Sequence, residues 1–385
     1  MYDFDKLVSR ENTNSVKWDI VPKDIIPMWV ADMDFTSPPE VIAALQERVS
    51  HGIFGYCGSH GGWLEALTHW MDRRHNYSPK LEWISTSPGV VAGLIMLVRA
   101  LTEPGDKIII QPPVYRPFYN IARSNGCELV ENPLYFDGLK YRLDFEQLKK
   151  VADPKTKLLI LCSPHNPVGR VWERDELAAL GEFCLENNIT IISDEIHADL
   201  VLPTYQHTVL TAISKEIEEN MIVVNAPSKT FNIPGIPASN IIIPNEKLRR
   251  NYLKVLKANS LYIPDVFAVT AATAAYTYGD NWLDELLLYL DANINLVANT
   301  IEERIPEIKL IKPEGTYLLW LDFRSLGYSD KELDTFIKEN ARLWLEPGIN
   351  FGRGGNGFMR MNIASPRSRI QTAIEQLVTA IRTKA

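Results

Sequence analysis

The sequence has little of what marks secreted, membrane or nucleic-acid-binding chains. Its four cysteines, Cys57, Cys127, Cys162 and Cys184, form no CxxC pair, and no histidine spacing completes a zinc site. They read as reduced thiols. The seven histidines include no HExxH motif, so no metal is expected. Basic charge is short as well. The formal net charge is −8, whereas a general nucleic-acid or acidic-membrane binder needs a basic face to displace counterions. The apolar stretch from Val90 to Val98 stops at Arg99, well short of the roughly 20 residues of a membrane span. Met1-Tyr2-Asp3-Phe4-Asp5 carries neither the basic start nor the apolar core of a signal peptide. The expectation is a cytoplasmic protein with small-molecule partners, and no nucleic acid or membrane among them.

What is there is a large folded chain. With 385 residues, 46% of them hydrophobic and 23% charged, two domains are expected. Ser37-Pro38-Pro39-Glu40 reads as a capping box opening a helix that runs to about His51 and stops at Gly52. Beyond it, short β-rich runs alternate with amphipathic stretches: Lys107 to Ile110, Lys157 to Cys162, Thr190 to Ser193, Met221 to Val224 and Asn240 to Ile243. Each run is almost wholly apolar, as strands buried on both faces are, and βα alternation implies a mainly parallel sheet flanked by helices. After about Asn281 a long helix, the shorter runs Thr316 to Leu321 and Gly357 to Ile363, and a last helix from Ser365 suggest a smaller α/β domain. The expected division is an N-terminal segment, 1–47, packing with the small domain; a large domain, 48–280; and a small C-terminal domain, 281–385.

In open parallel α/β sheets, ligands bind beyond the carboxyl ends of the strands. Four of these runs are followed there by groups with chemistry: Tyr115, Asn166, Asp194 and Lys229. Each has a plainer reading. A lysine after a strand is commonly a solvated loop residue, Asp194 could cap a helix, Asn166 could serve a turn, and Tyr115 could be core. Ser87-Pro88-Gly89-Val90-Val91 opens an apolar helix whose first N–H groups would suit a phosphate. An anionic, aromatic, carbonyl-bearing cofactor would use all of these groups together. Pyridoxal 5'-phosphate (PLP) fits: an amine for a Schiff base, a carboxylate for the pyridinium nitrogen, an amide for the ring hydroxyl, an aromatic ring for stacking and a helix start for phosphate.

The stretches "SPHNPVGRVW", "SDEIHADL", "SKTFNIPG" and "FMRMNIASPR" resemble the class I/II aminotransferase superfamily of PLP-dependent fold type I. With "MWVADMDF", "FGYCGSHGGW" and "PPVYRPF" they are similar to its MalY/PatB-type cysteine-sulfur β-lyase branch, from about Trp29 to Arg367. The resemblance implies a large domain with a seven-stranded, mainly parallel sheet. It implies that Lys229 forms the Schiff base and takes the Cα proton, that Tyr115 stacks at the catalytic centre, that Asp194 faces the pyridine nitrogen, and that Asn166 and His197 lie near the ring oxygen. Gly89, Val90, Val91 and Ser228 would hold the phosphate. Arg360, which the bland reading makes a surface ion pair, would hold the substrate α-carboxylate. Tyr56, in a glycine-rich stretch that otherwise reads as a turn, would reach the phosphate of a partner subunit in a homodimer. Two positions depart from the transaminase pattern: His197 stands in place of a tyrosine, and Pro237 in place of a phosphate-binding arginine. The expected function is β-cleavage of cystathionine or a related cysteine conjugate to a thiol, pyruvate and ammonia. An aminotransferase and a PLP-bearing regulator acting through a protein partner are the alternatives.

Overall fold

All five apolar runs form strands in the computed structural model, which describes residues 2–384. The strands extend over Lys107–Ile110, Thr156–Cys162, Thr190–Asp194, Met221–Asn225 and Ser239–Ile242. With Ile84–Ser87 and Glu128–Glu131 they make a seven-stranded sheet in the order Ile84–Ser87, Ser239–Ile242, Met221–Asn225, Thr190–Asp194, Thr156–Cys162, Lys107–Ile110, Glu128–Glu131. Only Ser239–Ile242 runs antiparallel to its neighbours. The reason these runs lack polar alternation is visible in the packing. Ile108, Ile110, Leu158 and Ile160 face one way, into a core shared with the helices Val90–Leu101 and Glu246–Ala258. Ile109, Leu159 and Leu161 face the other way, against Leu177 and Leu180 of the helix Arg174–Glu186. With period 2 and both faces covered, every position must be apolar.

The helix Val90–Leu101 lies tight on the sheet. A Cβ on Gly93 would meet Ile241 Cδ1 at 2.7 Å and Ser87 Oγ at 2.8 Å, so glycine there permits the close approach. One local expectation fails. The helix Pro39–His51 ends as read, with Gly52 left-handed at φ 77°, but its N-cap is Pro38 and no side chain caps it. The Ser37 hydroxyl is taken by a distant partner, donating to the Asn232 carbonyl at 3.0 Å.

After the long helix Asp280–Arg304, an antiparallel four-stranded sheet runs in the order Lys309–Ile311, Leu318–Asp322, Phe358–Asn362, Glu346–Pro347. Ile26–Pro27 pairs in parallel with Leu343–Trp344, which brings the following residues, 28–34, over the gap between the two larger sheets. Among the described residues no helix is long and apolar enough to cross a membrane.

Candidate active site

The carboxyl ends of the parallel strands open on a cavity of about 540 Å³. Lys229, Asp194, Asn166, His197, Tyr115, Gly89, Val90, Val91, Ser228 and Arg360 all line it, and so does Pro237. Tyr56 does not. It is 96% exposed, in the loop between the helices Pro39–His51 and Trp63–His75.

Lys229 sits on a single helical turn, Pro227–Thr230, directly after the strand Met221–Asn225. Its Nζ donates to the Ala31 carbonyl at 2.6 Å. Burial pushes the amine down to about 8, against the pull of the Asp32 and Asp194 charges. The solvated-loop reading is thereby excluded. Asp194 ends its strand and is 3% exposed. Burial raises its carboxyl to about 7, although Oδ1 accepts from the Ile196 N–H at 3.2 Å. That bond closes a turn rather than capping a helix. Its neighbour Glu195 points away from the cavity and accepts from Ser193 Oγ and His207 Nε2, each at 2.9 Å. A buried carboxylate raised this far fits a cationic ring nitrogen as its missing partner.

Arg360 is buried, on the strand Phe358–Asn362. Its Nη1 donates to Asn166 Oδ1 at 2.9 Å and its Nη2 to the Trp29 carbonyl at 2.7 Å, and it stacks over Phe351. Nε is buried without a partner. The surface ion-pair reading therefore falls, and a buried guanidinium with no carboxylate partner, its Nη groups each keeping one N–H to give, suits a carboxylate. Because Asn166 accepts through Oδ1, its Nδ2 remains as a donor for a ring oxygen. His197 is buried with Nδ1 unpartnered. Burial, then the Lys229 and Arg360 charges, push it down to about 3, so it is neutral. Tyr115 packs edge-on against Phe118 and shares the cavity wall with Asp194.

Gly89 precedes the helix Val90–Leu101 with φ 109° and ψ 152°, and no side chain caps that helix. The N–H groups of Val90 and Val91 therefore open on the cavity, where a phosphate fits their polarity. The residues present thus fit PLP at each of its functional groups. Sequence reasoning missed the contribution of Trp29, Val30 and Ala31, whose backbone walls one side. A backbone carbonyl leaves no residue-type signal. It also missed Glu346, which lies opposite Arg360 on the neighbouring strand, in a two-residue strand too short to read.

Residues 23–377 match the family model described as aminotransferase class I and II. The cystathionine β-lyase PatB of Bacillus subtilis is 44% identical over 385 residues, covering 98% of this chain and 100% of that protein. The structure of cystalysin from Treponema denticola, which contains a pyridoxal 5'-phosphate cofactor, superposes with TM-score 0.97 at 38% identity, covering 100% of both chains. The PLP-bound C–S lyase from Staphylococcus hominis superposes with TM-score 0.91 at 35% identity, covering 99% of each chain. A cavity that gathers a lysine, an aspartate, an asparagine and an arginine from far-separated strand ends, in a chain matched nearly end to end, has one family to which it belongs: the class I and II aminotransferases.

Proposed function

We infer that this protein is a PLP-dependent carbon–sulfur β-lyase that converts an L-cysteine S-conjugate of the cystathionine type, with water, to a thiol, pyruvate and ammonia. The observation that carries the reading is the meeting of Lys229, Asp194, Asn166 and Arg360 in one buried cavity, in a chain whose relatives are named for this chemistry. When bound, the cofactor supplies the carbonyl that takes up the substrate amine and the ring that withdraws electrons from Cα.

The chain's own residues do the rest. Arg360 binds the α-carboxylate through the N–H groups of its planar fork that Asn166 and Trp29 leave free, and so fixes which Cα bond lies ready to break. The Lys229 amine, which burial brings to about 8, takes the Cα proton, and the Cβ–S bond breaks with the electron pair leaving on sulfur. Asp194 would hold a positive charge at the ring nitrogen, Asn166 Nδ2 and the neutral His197 would serve the ring oxygen, and Tyr115 would stack on the ring. The N–H groups of Val90 and Val91, with Gly89 and Ser228 beside them, would hold the phosphate, while the Gly89 N–H is itself given to the Ser87 carbonyl at 2.8 Å. Tyr56 completes that phosphate site from a second copy of the chain, in a cytoplasmic homodimer. His197 and Pro237, at positions where transaminases carry tyrosine and arginine, favour the lyase over an aminotransferase.

The test is product analysis with purified holoenzyme. Cystathionine should release pyruvate, thiol and ammonia in equal amounts. Accumulation of the amino form of the cofactor with a keto acid that keeps its sulfur side chain would instead make it an aminotransferase.

A further inference from the structure

The segment Trp29–Asp34 walls the reaction cavity but takes no chemical step in the reading above, yet the molecule grips it from two sides. On the inner side every carbonyl from Trp29 to Asp32 is bound. The Trp29 carbonyl accepts from Arg360 Nη2 at 2.7 Å, and those of Val30 and Asp32 accept from Asn362 Nδ2 at 2.6 Å each. The Ala31 carbonyl accepts both Lys229 Nζ at 2.6 Å and the Tyr317 hydroxyl at 3.0 Å. On the outer side Arg10 holds the Asp32 carboxylate by two parallel hydrogen bonds, of 2.9 and 2.7 Å, and reaches Asp34 Oδ1 at 3.1 Å. Behind it Lys17, 1% exposed, lies 3.0 Å from Asp34 Oδ2 and 3.6 Å from Asp32 Oδ1.

Burying such charges costs solvation that their attraction does not reliably return, so stability alone is a weak reason for the cluster. The space around the segment offers a better one. A second cavity, of about 650 Å³, lies on its outer side, lined by Arg10, Asp32 and Asp34, and Lys229 lines both cavities. A segment with open space on either side, carrying the hydrogen bond that aims a reactive amine, needs to be held from outside.

We propose that Arg10 and Asp32, backed by Lys17 and Asp34, are positioning residues that press the Ala31 carbonyl against Lys229, committing one N–H of the amine to the backbone and turning its lone pair into the reaction cavity. The proposal rests on the reading of Lys229 as the amine that binds the cofactor and moves the proton. On protonation the charge of Asp32 works the other way, so its part in positioning is the grip on the segment and not its field at the amine. Among the groups facing Lys229, Asp32 supports the protonated amine together with Asp194, while Arg360 and burial oppose it.

The experiment follows covalent attachment of added PLP to Lys229 in the cofactor-free chain, by absorbance and by borohydride trapping with mass mapping. It is run on the parent, Asp32→Asn, Arg10→Gln and Arg10→Lys, with near-ultraviolet circular dichroism as the check on folding. Misplacing a reactive group by about 1 Å can cost up to about a hundredfold; attachment at saturating PLP and kcat should each fall about tenfold in Asp32→Asn and Arg10→Gln. KM for the sulfur substrate should stay within about twofold, because Arg360 is untouched, and Arg10→Lys should recover most of the loss. If a cluster variant does not fold, Tyr317→Phe carries the test: it removes the second bond to the same carbonyl and should also slow attachment. Folded variants with attachment and kcat within about twofold of the parent, or Arg10→Lys no better than Arg10→Gln, or an unaffected Tyr317→Phe where that variant decides, overturn this inference alone. A parent chain that forms no trapped bond at Lys229 overturns both it and the site reading.

Discussion

Asp194 and Lys229 are both costly to the chain before cofactor binds, and in opposite pH ranges. An unfolded aspartate titrates near 3.8 and the buried Asp194 near 7. The cofactor-free chain therefore keeps this group's full share of stability below pH 3.8 and loses it as pH rises towards 7. Lys229, depressed from 10.5 to about 8, takes its toll as pH falls from 10.5 to 8. Asp194→Asn should thus stabilise the cofactor-free protein at pH 8 by on the order of 1–3 kcal/mol, because an unpaired buried charge becomes a neutral amide. The gain should shrink at pH 5, where Asp194 is already protonated. Urea unfolding of the two apo proteins at both pH values checks this, and a gain equal at the two would refute the raised carboxyl. The same variant should bind PLP more weakly, the usual conflict between a stable site and a working one. Arg360 gives a second prediction. Arg360→Lys keeps the charge but loses the planar fork, so kcat/KM for cystathionine should fall by roughly 2–3 kcal/mol, or about 30- to 150-fold, mostly through KM. A variant within about threefold of the parent would remove the carboxylate from Arg360.

At the scale of elements, the helix Val90–Leu101 makes the sharpest demand. Gly89, at φ 109° and ψ 152°, occupies a region that side-chain-bearing residues avoid, although a Cβ there would meet nothing within 4 Å. Gly89→Ala should therefore cost about 1–3 kcal/mol through backbone strain alone. By moving the first N–H groups it should also raise the Kd for PLP more than it lowers Tm. Equilibrium binding beside a thermal melt separates the two, and a change in Tm with Kd unmoved would take the phosphate away from this helix. This element was legible in the sequence because a glycine stood before a long apolar run. The central strands were legible because burial on both faces leaves no polar alternation to confuse. Lys229, Asp194 and Asn166 could be found because parallel sheets put their chemistry just past such runs. The Ser37 capping box was misread, since its hydroxyl is claimed by Asn232, 195 residues away. The inner wall was hidden for a related reason: Ala31 acts through a carbonyl that any residue would provide, and Arg10 and Asp32 meet only after the N-terminal segment has folded back on itself.

For the whole molecule, the apolar surface around Tyr56 is the feature a lone chain does not explain. Ile53, Phe54 and Tyr56 are 68%, 55% and 96% exposed, and Tyr262 and Ile263 are 51% and 44% exposed. Phe54 packs on Phe267, its ring 5.5 Å away, in the helix Val266–Tyr278 that follows Tyr262 and Ile263. Large apolar side chains gathered on one exposed face mark a contact surface. In the proposed homodimer this face would be covered and Tyr56 would reach the mouth of the partner copy's reaction cavity, so assembly and cofactor retention would become one property. The purified protein should therefore sediment as a dimer at micromolar concentration. Phe54→Glu, which puts a charge into the middle of that face, should give a monomer whose near-ultraviolet circular dichroism is unchanged, since Phe54 lies outside the buried core. That monomer should lose PLP on dilution and with it most of the lyase activity. Tyr56→Phe should remain a dimer and weaken PLP binding by about 0.5–1.5 kcal/mol, the usual net worth of one hydrogen bond. A Phe54→Glu monomer that keeps full cofactor occupancy and turnover would show that each chain carries a complete site, and Tyr56 would then be no more than the turn residue its glycine-rich surroundings suggest.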